Sequence, residues 1–515
     1  MNVEMANTTE LPSSWAWPGL GEIGEVNLGK TPRKTQYTNG GGLKIVKFRD
    51  IVGDSIFWDE NDKGFVVDSE SVTTQLCQLD KGDVLVTASA HSSEHIGKKV
   101  VYVSTIPQRY NKVFFVGELL RIRVDEDCIN PRMVYYYLSS HNGYKAIQDH
   151  VRGVHLIASE ARKIPLPLPP LPEQHRIVAK IEELFTRLDA GVEALKKAKA
   201  QLKRYRQSVL KYAFEGKLTE QWREAHRHEL EPASTLLARI KQERRQAAKG
   251  RHKELPPLDT SDLPQLPERW AWTRVGNIGE VTKLAGFEFT KYFKYKDSGP
   301  VRVVRGLNIG HGQFKASNFK YIDASISDAL PRSQLHGGEL LIAYVGTLGT
   351  AAILPRDGHR YHLGPNVGKV VMNDDLFDAR FLLSFFISSA GQHLISTTSK
   401  AVTQSSLSMQ QIRLMVVPTA SLAEQHRIVE EIERRLSVAD EIERTVDRSL
   451  TQAERLRRSI LKRAFEGKLV PQDPNDEPAE KLLERIIEER AKQQATAQST
   501  KVSKKRLATQ EMKLM

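Results

Sequence analysis

Cysteine and long apolar runs are almost absent from this chain of 515 residues. Its two cysteines, Cys77 and Cys128, do not form a CxxC pair, so neither a disulfide framework nor a structural zinc site is expected. No apolar run approaches the length of a membrane-spanning helix, and the stretch 381–387 is far too short. The polar, acidic start predicts no signal peptide. We therefore expect a protein of the reducing cytoplasm.

Known catalytic motifs are also missing or incomplete. Neither the Gly-rich cofactor turn nor the NPPY-type motif of a methyltransferase occurs. The stretch 364–370 resembles a P-loop, but it has three residues between its glycines instead of four, and a valine where a hydroxyl should bind Mg²⁺. His91 to His95 matches the HxxEH zinc pattern, which requires a helix, whereas its surroundings predict a polar loop. We predict no catalytic residue, no metal site and no cofactor in this chain.

Basic residues are in excess. The net charge is +13 and the pI is near 9.4, which favours a polyanion as partner through counterion release. Charge alone does not decide this, because many basic proteins bind no nucleic acid. The apolar content of 40% and charged content of 27% are ordinary for a globular protein, and the length predicts three or four structural units.

The chain repeats itself. The hexapeptide EQHRIV occurs at 173–178 and at 424–429, and AFEGKL occurs at 213–218 and at 464–469. Both pairs have an offset of 251 residues. The segment between the hexapeptides therefore has the same length in both copies. A rigid helix requires this, since one inserted residue turns its faces by about 100°.

A looser repeat covers most of the remaining chain. Its matched pairs are LPSSWAWPGLGEIGEV (11–26) with LPERWAWTRVGNIGEV (266–281), GDVL (82–85) with GELL (338–341), and EPA at 231–233 with EPA at 477–479. Between these landmarks the two copies diverge almost completely. One scaffold is therefore expected to carry two different recognition surfaces.

Each repeat contains one long helix with apolar residues at the a and d positions of a heptad. These positions are Ile177, Ile181, Leu184, Leu188, Leu195, Leu202, Tyr205 and Val209 in the first copy, and Ile428, Ile432, Ile442, Val446, Leu456 and Ile460 in the second. A proline-rich stretch, 164–172, predicts an extended arm before the first helix, and Gly216 predicts its end. Each helix of about 40 residues would span about 60 Å.

The two long helices are the obvious partners for each other. If they run antiparallel with their centres aligned, three large–small pairs form, namely Gly191 with Val446, Leu188 with Ser449 and Leu184 with Ala453. A homodimeric coiled coil is the alternative. Seven basic residues and no acidic ones lie between positions 196 and 211. They form either a solvated face or a stripe that binds nucleic-acid backbone or a partner.

The remaining segments predict two globular domains. Short β-rich runs such as 43–48, 84–87, 99–103 and 301–304 are punctuated by Gly and Asn, and 131–140 and 379–389 resemble buried helices. The predicted fold class is α+β, with two mixed α/β domains on curved sheets. Two long helices forming an antiparallel coiled coil would separate the domains, with an internal pseudo-two-fold repeat.

The EQHRIV helix start, the AFEGKL helix end, the proline-rich arm and the half-chain repeat resemble specificity subunits of type I restriction-modification enzymes. The resemblance implies six segments: a target recognition domain at 1–168, a helix at 169–219, a linker with a short amphipathic helix at 220–263, a second recognition domain at 264–419, a second helix at 420–470, and a C-terminal amphipathic helix with a basic tail at 471–515.

The resemblance also implies function and partners. Each domain would read one half of a split DNA site, while the helices would set the distance and dock two methyltransferase subunits, which restriction subunits join. S-adenosylmethionine, ATP and Mg would then be cofactors of the partners. The alternative function is a non-catalytic coiled-coil scaffold that joins two protein-binding domains.

Equivalent places in the two repeats supply the candidate DNA contacts. They are Lys47, Arg49, Ser89, His91, Ser92, Lys98, Arg152 and His155 in the first domain, and Arg305, Asn308, Tyr344, Thr347, Lys400, Thr403 and Gln404 in the second. The sequence aligns Arg49 with Arg305, and because arginine is the side chain that most often reads guanine, each is a candidate reader of one half-site.

Lengthening both long helices by one heptad tests whether they set the spacing of the half-sites. The insertion keeps every a and d position on the seam and adds about 10 Å. We expect the variant to select the same half-sites with a spacer roughly three base pairs longer. Its affinity should fall, because three pairs also rotate one half-site by about a third of a turn. Selection from a random-spacer library measures this, and an unchanged spacer in a folded variant would contradict it.

Overall fold

The computed structural model describes residues 11–38, 41–58, 64–247, 254–346, 349–400 and 406–492. The chain forms two compact units. The first unit comprises Met1–Leu195 and Arg448–Met515, and the second comprises Lys196–Asp447. In the described part of the chain, no helix combines the length and the apolarity that crossing a membrane would require.

The first unit contains two larger sheets, one two-stranded sheet and several helices. Its strands are β1 (Gly24–Leu28), β2 (Tyr37–Thr38), β3 (Leu43–Val46), β4 (Ile51–Val52), β5 (Ser55–Ile56), β6 (Phe65–Val66), β7 (Gln78–Leu79), β8 (Val84–Thr87), β9 (Val100–Tyr102), β10 (Val113–Phe115) and β11 (Leu119–Val124). Its helices are α1 (Leu20–Ile23), α2 (Glu70–Thr73), α3 (Pro131–Ser139), α4 (His141–Asp149), α5 (Ala158–Ala161) and the start of α6 (Leu171–Phe214). The sheet orders are β1-β11-β8-β9 and β2-β6-β3-β10-β7, and β4 pairs with β5.

The second unit repeats this arrangement. Its helices are α7 (Glu220–Ala225), α8 (Ala233–Ala247), α9 (Val275–Ile278), α10 (Gly286–Tyr292), α11 (Ala324–Ala329), α12 (Ala379–Ile387), α13 (Ser389–Lys400), α14 (Met409–Leu414) and the start of α15 (Leu422–Phe465). Its strands are β12 (Ala271–Arg274), β13 (Glu280–Lys283), β14 (Val301–Val304), β15 (Lys320–Ile322), β16 (Gln334–Leu335), β17 (Leu340–Ala343), β18 (Ala351–Ile353), β19 (Arg360–Leu363), β20 (Val367–Val371) and β21 (Val416–Thr419).

The sheet topology confirms the predicted internal repeat. The order β13-β20-β17-β18 reproduces β1-β11-β8-β9, and β15-β14-β19-β16 reproduces β6-β3-β10-β7. In both units the only parallel pair among the described strands is the same, β3 with β10 and β14 with β19. The predicted buried helices are present as α3 and α12. The linker, expected to hold one short helix, holds two, α7 and α8.

Alternation along one strand explains the layers of each unit. In β8, Val84 and Val86 pack in a core shared with helices, whereas Leu85 packs in the core between the two sheets. In β17, Leu340 and Ile342 likewise face the helices, and the residue between them faces the second sheet. Successive side chains of a strand point to opposite faces, so a strand buried on both faces reads as a continuous apolar run.

The Gly-acid dipeptide before each of these strands makes a tight turn. Gly82 and Gly338 have φ of 92° and 96°, in the left-handed region that suits glycine. The acid that follows accepts a backbone N–H three residues back, at 2.7 Å for Asp83 and 3.1 Å for Glu339. The repeated GDVL and GELL motifs therefore specify where the strands begin.

The helices α6 and α15 each have 44 residues. The first begins at Leu171, so the stretch predicted to be extended through 172 ends earlier. Pro172 lies in the first turn, where its missing N–H needs no partner. The arm is extended as predicted, because residue 168 pairs with Ala16. Glycines end both helices, with φ of 69° at Gly216 and 67° at Gly467.

The two long helices pair antiparallel within the chain, but not in the expected register. Asp447, which would lie beside residue 190, accepts a bond from Lys199 at 2.6 Å. Arg206 contacts Asp440 at 2.6 Å in the second unit, and in the first Arg457 contacts Asp189. All three ion pairs lie nine residues from the predicted pairing. Since each ion-paired residue directly follows an a or d position, the seam itself shifts by about seven residues, or about two turns. That shift approximates one heptad, which preserves the a/d seam, so the apolar pattern could not distinguish the two registers.

Part of the basic run on α6 serves this pairing. Lys199 and Arg206 neutralise acids of α15, a role that neither interpretation of the run included. Fewer of the predicted a and d side chains are buried between the two helices than the heptad pattern implied. Ile442 and Leu456 are about half exposed, while Val446 is buried. A single partner helix covers only one stripe of its neighbour, which leaves the flanking apolar positions open.

The second residue of the EQHRIV motif is a glutamine that fastens the long helix to its domain. The buried Gln174 accepts the backbone N–H of Asn130 and donates to the carbonyl of Pro169, both at 3.0 Å. In the second unit Gln425 accepts the backbone N–H of Asp378 at 3.0 Å and donates to the carbonyl of Ala420 at 2.9 Å. Since Asn130 and Asp378 cap α3 and α12, this glutamine links three elements in each unit.

The neighbouring glutamate is buried with a tryptophan in both units. Glu173 accepts the indole N–H of Trp15 at 3.1 Å and an amide N–H of Gln472 at 2.8 Å. Burial without a cation in contact raises the pKa of Glu173. The repeated Trp and Glu thus form one buried polar contact that docks the start of the domain onto the helix.

The second unit adds a cation to this contact. Glu424 accepts Trp270 at 2.9 Å, Thr219 at 2.9 Å and the Arg223 guanidinium at 2.8 Å. Both Glu424 and the Arg223 side chain are nearly enclosed. The linker helix α7 therefore holds the buried charge in the second unit, whereas the neutral Gln472 takes that place in the first.

Arg223→Met should destabilise the second unit by about 3–5 kcal/mol, because it leaves a buried carboxylate unpaired. Arg227→Met is the matched control: its ion pair with Glu268 is exposed, so the loss should stay below about 1 kcal/mol. Thermal unfolding measures both, and hydrogen exchange at 422–430 locates the loss. The double variant with Glu424→Gln should recover part of the stability. Equal stability of the two arginine variants would refute the buried-pair interpretation.

Candidate nucleic-acid interface

Two of the predicted segments of the first unit meet beyond the end of β8. Ser89 pairs with His155 as an isolated β-bridge, and Ser89 Oγ lies 3.0 Å from His155 Nδ1. Next to them, the N–H of Leu156 donates to the carbonyl of Ala88 at 2.8 Å. Arg152 is bridged to His155 and forms an ion pair with Glu160.

The third predicted segment joins them through a lysine. Lys99 Nζ donates to the carbonyl of Ile51 at 2.6 Å and lies 4.3 Å from the centre of the Phe48 ring. Segments 47–51, 88–99 and 152–155 therefore form one connected surface, which we call the first recognition surface. His91 and Lys98 are exposed on it, and Ser92 Oγ lies 3.1 Å from His95 Nδ1.

A short 3-10 helix, Phe48–Asp50, shapes the first part of this surface. The buried Asp50 accepts the backbone N–H of Lys47 at 2.9 Å, and Lys44 Nζ lies 3.5 Å from the same carboxylate. Desolvation lowers the pKa of Lys44. Arg49 projects from the turn with 65% of its side chain exposed, its Nε 3.6 Å from Asp50. Asp50 thus fixes the backbone while the next side chain faces outward.

The HxxEH pattern does not form the helical arrangement that a zinc site of that type needs. Only Ser93–His95 is helical, as a single 3-10 turn, and His91 lies before it. Tyr144 and Gln148 hold this turn by donating to the carbonyls of Glu94 and Ile96 at 2.8 and 2.7 Å. The predicted polar loop is therefore a 3-10 turn that two side chains of α4 hold by hydrogen bonds.

The second unit contains the same backbone frame. Val345 is bridged to Ser406, and the N–H of Leu407 donates to the carbonyl of Tyr344 at 2.8 Å. The 3-10 helix Gly306–Asn308 follows β14 as Phe48–Asp50 follows β3. Segments 305–309, 344–346 and 406–407 are the second recognition surface.

Asn308 is a correction to the predicted contacts. Its side chain is buried; Oδ1 accepts the N–H of Arg305 at 3.0 Å, and Nδ2 donates to the carbonyls of Lys315 and Ser317 at 3.1 and 2.8 Å. It takes the place of Asp50 and holds the turn. Because the two capping side chains align, Lys47 is equivalent to Arg305. The predicted match of Arg49 with Arg305 is wrong, and the structural counterpart of Arg49 is Leu307.

Comparison with known proteins agrees with this repeated frame. The family described as type I restriction modification DNA specificity domain matches residues 12–204 and 267–452. The chain belongs to this family of specificity subunits. It is 26% identical over 353 residues to the EcoBI specificity subunit of Escherichia coli, covering 68% of each chain. It is 24% identical over 475 residues to the EcoKI specificity subunit of Escherichia coli strain K12, covering 90% of this chain and 91% of that one.

Solved structures share the fold. A chain from a structural study of complex assembly and conformational transition of the type I R-M system aligns with a TM-score of 0.64 at 17% identity, covering 89% of this chain and 100% of that one. The HsdS subunit from Thermoanaerobacter tengcongensis aligns with a TM-score of 0.50 at 18% identity, covering 89% and 98%. The predicted family and fold class are thereby confirmed.

The other residues predicted in the second domain of this specificity subunit fall into two groups. Arg305 donates to the carbonyl of Asn318 at 2.6 Å, and Tyr344 stacks beneath Lys283, whose Nζ is 4.8 Å from the ring centre. Thr347, Thr403 and Gln404 lie outside the described residues. Lys400 ends helix α13, and its side chain is likewise outside the described part.

Sequence reasoning missed three residues at these surfaces. Lys99 links two segments of the first surface, Lys283 stacks on Tyr344, and Leu307 is exposed on the second turn. The capping pattern would have identified Leu307. Asp50 and Asn308 each lie three residues after the residue whose N–H they accept, so aligning these two caps places Leu307 opposite Arg49. No comparable signal marks the two lysines, since their contacts depend on strand pairing.

Asn308→Ala should lower the stability of the second unit by about 1–3 kcal/mol, because it removes three part-buried hydrogen bonds between this side chain and the backbone. The neighbouring Leu307→Ala, at an exposed position of the same turn, should change stability by less than about 0.5 kcal/mol. Chemical denaturation of both variants measures the difference. If they are equally stable, Asn308 does not hold the turn.

Proposed function

We propose that this specificity subunit recognises a bipartite DNA target and directs adenine methyltransferase and restriction subunits to it. One observation carries the proposal: the two recognition surfaces share one backbone frame, held by Asp50 in one unit and Asn308 in the other, but present different side chains. Equal frames with unequal side chains suit two different half-sites. Direct readout requires such side chains at base edges in the major groove.

The chemistry of the first surface supports duplex DNA as the ligand. Arg49, Lys98 and Arg152 supply cations for guanine or phosphate, and Ser89 and His155 supply further hydrogen-bonding groups. The net charge of +13 adds a sequence-independent attraction that should weaken as salt rises. A scaffold of two protein-binding domains would not show salt-dependent binding of DNA.

The long helices supply surfaces for the partner subunits. Their exposed apolar side chains include Tyr205, Tyr212, Val438, Ile442 and Leu456. The proposed partners are two methyltransferase subunits, which bind S-adenosylmethionine and flip the target adenine, and restriction subunits, which use ATP and Mg. The repeated EQHRIV-to-AFEGKL segments offer each methyltransferase an equivalent helix, so both DNA strands can be methylated. The specificity subunit itself is proposed to be non-catalytic.

Expression of the subunit with its methyltransferase should methylate adenines in one split sequence, which mapping of methylated adenines across the host genome would reveal. The subunit alone should give no methylation, DNA cleavage or ATP hydrolysis, and the methyltransferase alone should lose the sequence preference. The logarithm of the DNA association constant should fall linearly with that of the salt concentration. Methylation by the subunit alone, or an unsplit target, would contradict the proposal.

A further inference from the structure

Three positions on the two recognition surfaces are equivalent by backbone contacts. Arg49 and Leu307 are each the second residue of a 3-10 turn. In both turns the third residue, Asp50 or Asn308, accepts the backbone N–H of the residue before the turn. Ser89 and Val345 begin the same isolated bridge, to His155 in one unit and to Ser406 in the other. The same backbone bond flanks each bridge, from Leu156 and from Leu407, at 2.8 Å.

The chemistry at two of these three positions differs in the same direction, while the third is polar in both units, His155 in the first and Ser406 in the second. In the first unit they carry Arg49, Ser89 and His155, all of which form directional hydrogen bonds. In the second unit two of the three carry Leu307 and Val345, which are exposed and apolar. Single exposed apolar residues are ordinary on a protein surface. Two of them at equivalent positions of a surface proposed to read DNA indicate an apolar ligand feature.

The surroundings of Leu307 leave space for such a feature. The residue before it is Gly306, and a Cβ built there would meet no atom within 4 Å. At the equivalent position the first unit has Phe48, whose ring lies against Lys99. A glycine here removes a bulky neighbour on one side of Leu307. A methyl group at the base edge can therefore approach the leucine closely.

The apolar group that a DNA major groove offers is the 5-methyl of thymine, whereas guanine offers two acceptors to an arginine. We infer that Arg49 and Leu307 are the matched specificity-determining residues of the two units. Arg49 reads guanine in one half-site, and Leu307 packs on a thymine methyl at the corresponding place of the other. This rests on the proposed function, and it adds which residues read the two half-sites and which bases they select.

Exchanging the two side chains tests the inference. The full chain is bound to a random-sequence duplex library, as wild type and as Arg49→Leu and Leu307→Arg. Arg49→Leu should replace guanine by thymine at one position of one half-site, and Leu307→Arg should do the reverse in the other half-site. The affinity for the original duplex should fall roughly five- to 150-fold, while the untouched half-site keeps its sequence.

Matched controls separate readout from charge. Arg356→Leu removes an arginine with 68% of its side chain exposed, also beside an aspartate, but at the opposite end of β17 from the recognition surface. Ile487→Arg adds the same charge as Leu307→Arg at a residue of similar exposure, 46% against 47%, on the helix 479–492. Neither control should change the selected bases.

The outcomes distinguish this inference from the proposed function. If the wild type enriches no split sequence, the proposed function fails, and the inference fails with it. If the wild type enriches two half-sites but the exchanges leave the selected bases unchanged, only the inference is overturned. It is likewise overturned if either exchange weakens all duplexes equally, which would indicate a phosphate contact or a structural role.

Discussion

The buried contact at the start of each long helix is the constraint on which the remaining structure depends. Glu173 and Gln174, and their repeats Glu424 and Gln425, are at most 2% exposed and must therefore find partners inside the protein. They find them in a tryptophan, a helix N-terminus and the proline-rich arm. Satisfying all these groups at once fixes the rotation of the helix against its domain. One inserted residue would turn the pair away from its partners.

This constraint separates what can vary from what cannot. The side chains of β8 and β17 that face the helices belong to the same cores as Ile177 and Ile428. Changes there disturb the docking of the helix. The turns after β3 and β14 lie on the second sheet, and their outward residues, Arg49 and Leu307, are exposed. Two unrelated surfaces can therefore stand on one repeated frame.

The sequence predicted the features that repeat or have a period. Identical hexapeptides at one offset predicted the equal helices, and the landmarks predicted the repeated domains. It did not predict the helix register, because a shift of one heptad leaves the same a and d residues on the seam. The charges decided it, through Lys199 with Asp447 and Arg206 with Asp440. Long-range ion pairs leave no periodic signal in the chain.

The misaligned arginines illustrate the same limit at the recognition surface. Matching residues by type paired Arg49 with Arg305, whereas the structure matches them by what holds the turn, Asp50 and Asn308. A capping side chain is constrained by a backbone N–H at a fixed distance along the chain, while an outward side chain is constrained only by its ligand. Divergent repeats should therefore be aligned by their buried polar caps. Aligned in this way, Arg49 and Leu307 occupy equivalent positions although their side chains share no chemistry.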